Sequence, residues 1–301
     1  MMTQTDTRLV GNSFKLGYRF QRYWDLSIAL AFFFAETGAG LFLVSFYFNF
    51  TAGMIGGLVM AGVLKPYFHI HNHKGSSGNS WRAIARPDRS WLSRGLIAIA
   101  IVVGFGILHL TGLATRLGLP PAIGSLIGWL AVAGALVVMF YQGMAMSDSE
   151  SLTLWASALV PVSSFLYALT AGVLLTLATA SSLLSGEQQN MLANLGAVLL
   201  VADFLAVCAI LLRARSKSPG GKFSADLLTQ GEYSRYFIGL TCVVGLILPV
   251  ALLILGGGKL ALVAAAAMLA GFLTFRVLLL KAAVFEPIMR GDLIASLGLN
   301  R

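Results

Sequence analysis

Eight apolar runs divide the chain, at roughly 24–48, 51–68, 92–113, 122–145, 152–180, 190–213, 235–256 and 259–284, with polar stretches between them. About 20 consecutive apolar residues carry an α-helix across a bilayer. The only other spanning solution, a closed β-barrel, needs short segments of alternating polarity. The runs here are continuous and too long for that. The pattern predicts an all-α integral membrane protein, a single polytopic domain over 1–301 with about eight transmembrane helices in one bundle. A 23-residue polar N-terminal arm precedes the first helix, and the larger loops fall near 69–91 and 214–234. Pro161 and Pro249 lie inside the fifth and seventh runs, where membrane helices tolerate kinks, often beside a cavity. Gly38 and Gly40 in the first run, and Gly56, Gly57 and Gly62 in the second, predict close helix crossings.

Composition agrees. Hydrophobic residues make up 57% of the chain and charged residues 11%, with a mean hydropathy of +0.83. Soluble domains average about 25% charged residues. The first residues, Met1 to Lys15, are polar and lack both the apolar core and the small-residue cleavage site of a signal peptide, so the first helix is expected to be retained.

Charge then sets an orientation. With eight crossings, eighteen of the 21 Lys and Arg fall on the side of the two termini, and only Arg116 and Lys259 on the other; Arg276 lies within the last run. The positive-inside rule places both termini in the cytoplasm. Loops beside a membrane account for the formal charge of +9, and none carries the aromatic-interleaved module of a nucleic-acid binder.

Two cysteines, Cys208 and Cys242, stand in different runs without a Cys-x-x-Cys pair. The chain therefore holds no iron–sulfur cluster or structural zinc of its own, and the two thiols read as small packing residues. Three of the four histidines, His69, His71 and His73, crowd the end of the second run, and His109 has no mate at matching depth. Facing pairs for a haem are missing, and no metal is expected.

Ionisable groups at the bilayer centre cost roughly 2.5–3.5 kcal/mol each on insertion scales. Glu36 and Asp203 are central in the first and sixth runs, and Arg276 sits within the last. One reading is a buried polar site in which Glu36 and Asp203 exchange protons and Arg276 partners them. The other is a structural ion pair of Arg276 with Glu36 or Asp203.

The connection between the second and third runs carries Trp81-Arg82-Ala83, then Arg86, Arg89 and Ser90-Trp91-Leu92-Ser93-Arg94. Tryptophans suit the headgroup zone, and arginines can meet lipid phosphate or an acidic partner. The string resembles the same connection in the NrfD/DmsC family, membrane anchors of polysulfide, dimethyl sulfoxide and related molybdopterin oxidoreductases. Trp24-Asp25 through Gly38-Ala39-Gly40 is similar to that family's glycine-rich first helix. Gly95 stands where the family has a glutamate, and the family's Gly-x-Pro stretch is absent.

The resemblance implies a quinone-binding anchor subunit of a molybdenum or tungsten iron–sulfur oxidoreductase in the bacterial inner membrane, of the kind used in anaerobic respiration. It would pass electrons between an iron–sulfur subunit and the menaquinone or ubiquinone pool. It has no substrate chemistry of its own, and its catalytic partner would be cytoplasmic. With position 95 a glycine, Glu36 is expected to take the proton role together with Asp203. His71, His73, Arg82, Arg94, Tyr141, Gln142 and Arg276 are the expected quinone contacts, and Trp81, Arg86, Arg89 and Trp91 the docking surface. Two other classes remain open on the sequence: an ion-coupled secondary transporter, which predicts repeats and broken helices, and a scaffold without quinone chemistry.

Overall fold

The computed structural model describes residues 7–10, 14–16, 19–71 and 84–286. Of the expected contacts, His73, Trp81 and Arg82 lie outside them. Seven helical stretches are long and apolar enough to cross a membrane. They are α1 (Leu26–Tyr47), α2 (Thr51–Ile70), α3 (Trp91–Leu110), α4 (Pro121–Ser147), α5 (Leu159–Thr179), α6 (Gly186–Lys217) and a last stretch, Tyr236–Lys281, of 46 residues. A short helix, α7 (Pro219–Thr229), follows α6. The last stretch divides at Gly257, whose φ of +52° breaks the helix, into α8 (236–256) and α9 (Ala261–Lys281). The two halves fold back on each other, close enough that a β-carbon on Gly245 would lie 2.5 Å from Gly271 Cα.

Helix starts follow from capping side chains. Asp25 accepts from the Ser27 amide ahead of α1, Ser90 caps α3, and Ser185 with Gln188 forms a capping box ahead of α6. Asn49, at φ +52°, makes the left-handed turn that lets α2 follow α1 after three residues.

α1 is the central helix, packed on α2, α4, α5 and α9. Its glycines act as expected. A β-carbon on Gly38 would stand 2.7 Å from the Gly57 carbonyl oxygen of α2, and one on Gly40 would overlap the Ala168 carbonyl of α5. Gly62 meets Val103 of α3, whereas Gly56 has only ordinary contact with Leu41.

Two boundaries differ from those read off the sequence. The fifth helix begins at Leu159, not near 152, and Pro161 consequently falls in its first turn and kinks nothing. The apolar residues before it form tight turns that bury Leu152, Leu154 and Trp155, with Trp155 Nε1 donating to the Leu279 carbonyl (2.7 Å). The expected loop at 214–234 is largely helical. α6 runs 32 residues, about 48 Å at 1.5 Å per residue and well beyond a hydrocarbon core of about 30 Å. Arg215 on its last turn meets Asp226 of α7 at 3.2 Å.

Pro249 does lie within a helix, directly after a π-helical stretch, Tyr236–Ile247. Proline lacks an amide hydrogen and crowds the carbonyl four residues back. The wider π turn there makes room for it.

Two short two-stranded pairings complete the described residues. β1 (Thr7–Val10) pairs antiparallel with β2 (Phe14–Leu16), and β3 (Arg19–Phe20) with β4 (Val284–Phe285).

Candidate functional site

Glu36 on α1 is fully buried and ion-paired with Arg276 of α9, Nη2 to Oε2 at 2.8 Å, with Arg276 itself 1% exposed. The same Nη2 donates to Glu36 Oε1 (3.0 Å) and to Ser164 Oγ of α5 (2.9 Å). Arg276 Cζ lies 5.2 Å from the centre of the Phe272 ring. In the orientation that satisfies its neighbours, the Gln142 amide donates to Glu36 Oε1 (3.0 Å) and to the Phe32 carbonyl (3.1 Å) and accepts from the Tyr141 hydroxyl (3.1 Å). Tyr141, Gln142, Glu36, Arg276 and Ser164 thus form one buried row across α4, α1, α9 and α5.

Asp203 of α6 is buried close by. Its Oδ2 accepts from Thr170 Oγ1 at 2.6 Å. No cation lies within 4 Å of it among the described residues, yet it and the Tyr167 hydroxyl both feel the charge of Arg276. Of the two pairings open on the sequence, Arg276 makes the one with Glu36. Tyr167 stacks on Phe272 (4.5 Å between ring centres, 3° between planes), which fixes its ring beside the arginine. Asp203 Oδ1, Tyr167 Oη, Thr241 Oγ1, Ser163 Oγ and Arg276 Nε and Nη1 are all buried without a hydrogen-bond partner among the described residues. Unspent buried donors and acceptors such as Asp203 Oδ1, Tyr167 Oη and Arg276 Nε and Nη1 are suited to ordered water or to a moving proton.

The charge balance follows from the count. One guanidinium faces two carboxyls, so the cluster is neutral when a single proton is held between them. Burying an ion costs several kcal/mol unless it is paired, so the protein can carry this cluster with one proton more readily than with none.

The other expected contacts are placed elsewhere. Arg94 lies at the start of α3, donating through Nε to the Pro87 carbonyl (2.7 Å) and through Nη2 to that of Asp88 (3.0 Å), with its guanidinium over the Trp91 ring. His71 closes α2, its Nδ1 2.7 Å from the Tyr67 carbonyl oxygen. Arg86 and Arg89 are exposed, and Arg89 meets Asp88 at 3.3 Å. With Trp91 they form a basic, aromatic edge at the start of α3. Gly95 connects this edge to the buried row: a β-carbon there would overlap the Tyr141 ring. The space of a side chain at 95 is thereby filled by the tyrosine that leads through Gln142 to Glu36. α3 packs chiefly on α4, and α4 also packs on α1, so the route from position 95 to Glu36 crosses α4.

Three contributors were not singled out from the sequence: Ser164, Tyr167 and Thr170, on one face of α5. Their recurrence every third residue in an apolar run was the available signal. Two cavities open elsewhere. One of about 450 Å³ lies by Trp24, Asp148, Glu150 and Trp155, and an apolar groove of about 440 Å³ runs along α3 from Ile84 to Leu108. Among the described residues no group of three His, Cys, Asp or Glu could hold a metal.

Comparison with protein-family models and with curated proteins finds no match for this chain.

Proposed function

We propose that this chain is the quinone-reactive membrane anchor of a multi-subunit molybdenum or tungsten iron–sulfur oxidoreductase. In this reading the bundle crosses the membrane eight times, the hairpin at Gly257 supplying the eighth crossing. Both termini face the cytoplasm of a bacterial inner membrane, in accord with the lysine and arginine bias.

The observation that carries the reading is the Glu36–Arg276 pair, held through Gln142 and Tyr141 against Gly95, at the foot of the loop that resembles the NrfD/DmsC connection. A quinone, when bound, accepts two electrons and two protons. The chain's own part is to hold and deliver the protons. Glu36 carries one on its carboxyl, Arg276 steadies the carboxylate left behind, and Gln142 fixes its orientation. Asp203, under the same arginine, is the second exchangeable carboxyl. The donor set fits a quinone because buried Arg276 and Tyr167 retain hydrogen-bonding capacity. The exposed Arg86 and Arg89 with Trp91 are the surface for an acidic iron–sulfur partner.

An ion-coupled secondary transporter is the second reading. It is favoured by two non-α stretches within spans, Met60–Leu64 and Tyr236–Ile247, since broken helices beside buried charges mark transporter sites.

Purification in mild detergent, with identification of co-purifying chains and their metals, separates the two. The anchor reading expects a molybdenum- or tungsten-containing subunit and an iron–sulfur subunit. A chain that purifies alone and free of iron sinks it.

A further inference from the structure

Lys65 is the only described lysine whose side chain is buried, at 1% exposure. Lysines near a membrane surface ordinarily run their stems outward so that the ammonium reaches water. This one is turned into the bundle. It directly follows the π-helical turn Met60–Leu64, a feature frequent at functional sites. Gly57 against Gly38 and Gly62 against Val103 clamp that part of α2 between α1 and α3.

No carboxylate lies within 4 Å of the Lys65 ammonium among the described residues, and the segment 72–83 that follows α2 contains neither Asp nor Glu. One turn further on, His69 shares the same helix face and feels the lysine's charge. Its Nδ1 is buried without a hydrogen-bond partner among the described residues.

A buried ammonium without a counter-charge is destabilising, and so is a buried ring nitrogen without a hydrogen-bond partner. Two such groups side by side call for an electron-rich oxygen that the described part of the chain does not supply. Lys65 lies five residues before the end of α2, about 8 Å along the helix axis, a depth natural for a lipid-soluble molecule. Phe34 of α1 stacks on Phe68 (5.4 Å between centres, 8° between planes), setting this turn of α2 alongside the stretch of α1 that carries Glu36.

We propose that Lys65 and His69 form a binding site for a headgroup carbonyl oxygen of the membrane quinone. The proposal rests on the quinone reading and deepens it. The ammonium draws electron density to the oxygen, the imidazole sets its direction, and Glu36 on the adjoining helix is the nearby source of protons. A phospholipid phosphate offers similar oxygens, and the test separates the two.

The full chain, with the subunits that co-purify, is placed in nanodiscs of phosphatidylcholine alone or with phosphatidylglycerol. Ubiquinone-1 and menadione are titrated against tryptophan fluorescence. Saturable binding is expected in both lipids, weakened at least tenfold by Lys65→Met and by His69→Phe, and retained by Lys65→Arg. Lys65→Met should also raise the melting temperature without quinone, because it removes an uncompensated buried charge. Should Lys65→Met fail to fold, His69→Phe carries the comparison. Quinone binding by the wild type that neither substitution changes beyond twofold overturns this site and leaves the quinone reading standing. If Lys65→Met instead strips co-purified phosphatidylglycerol while quinone binding is unchanged, the site belongs to lipid phosphate and the proposal falls. No quinone binding by the wild type in either lipid removes the parent reading as well.

Discussion

Arg276 Nη2 lies 2.8 Å from Glu36 Oε2 and 3.0 Å from Oε1, joining α1 and α9 across 240 positions of sequence with both side chains buried inside the bundle. Removing one partner of a buried pair costs about 3–5 kcal/mol, because the other is left charged and alone. Arg276→Gln should therefore lower the melting temperature sharply. Glu36→Gln with Arg276→Gln should cost less than the sum of the two single changes. Strict additivity in thermal unfolding would show that the two groups do not stabilise each other.

Glu36→Gln alone retains a group that can bond Gln142 but not one that exchanges a proton. On the proposed function, quinone turnover by the purified complex should fall by at least about a hundredfold, the scale of general acid–base contributions. Unchanged turnover would remove Glu36 from the proton path.

The crossing of α1 and α5 leaves no room for a β-carbon at Gly40, which would meet the Ala168 carbonyl. Gly40→Ala should destabilise by more than the ~1–3 kcal/mol typical of overpacking between side chains, since backbone has to move. Gly104, with nothing within 4 Å of its would-be β-carbon, is the control. There the same change should be neutral or add up to about 1 kcal/mol. Equal melting temperatures for the two variants would contradict the described crossing.

Gly95 and Tyr141 share one space. Gly95→Ala should lower stability and activity in the wild-type background and cost much less when Tyr141→Ala has already emptied the site. Thermal unfolding of the two singles and the double measures the coupling. The absence of any coupling would mean that Tyr141 does not occupy the space beside position 95.

Topology is accessible to labelling. In a background with Cys208 and Cys242 replaced, cysteines at exposed Leu117 and Leu183 should react with an impermeant maleimide from outside the cell. Cysteines at Asp88 and Ser216 should react only in inverted vesicles. Outside labelling at Ser216 would refute eight crossings with cytoplasmic termini.

The apolar runs were legible because each is a long block bounded by polar residues. Glu36, Asp203 and Arg276 were legible because charge within such a block is expensive. The partners were not. A serine or threonine in a membrane helix is cheap enough to be common, so the sequence does not mark Ser164 and Thr170, which only the fold sets beside the charges. Lys65 reads in the sequence as one more positive residue at the inner end of a run, and only three-dimensional burial distinguishes it. Leu152, Leu154 and Trp155 ahead of α5 are as apolar as a helix interior, yet they are buried in turns. Apolarity reports burial, and burial does not require a helix.

The two-residue pairing of β3 with β4 bears on how the protein is made. Arg19–Phe20 leave the ribosome some 260 residues before Val284–Phe285, and Gln21 waits equally long for the carbonyls of Leu280 and Ala283. The first helix therefore enters the bilayer with its mooring, like its arginine, still unsynthesised. A chain interrupted before that last stretch leaves α1 both untied and carrying an uncompensated glutamate.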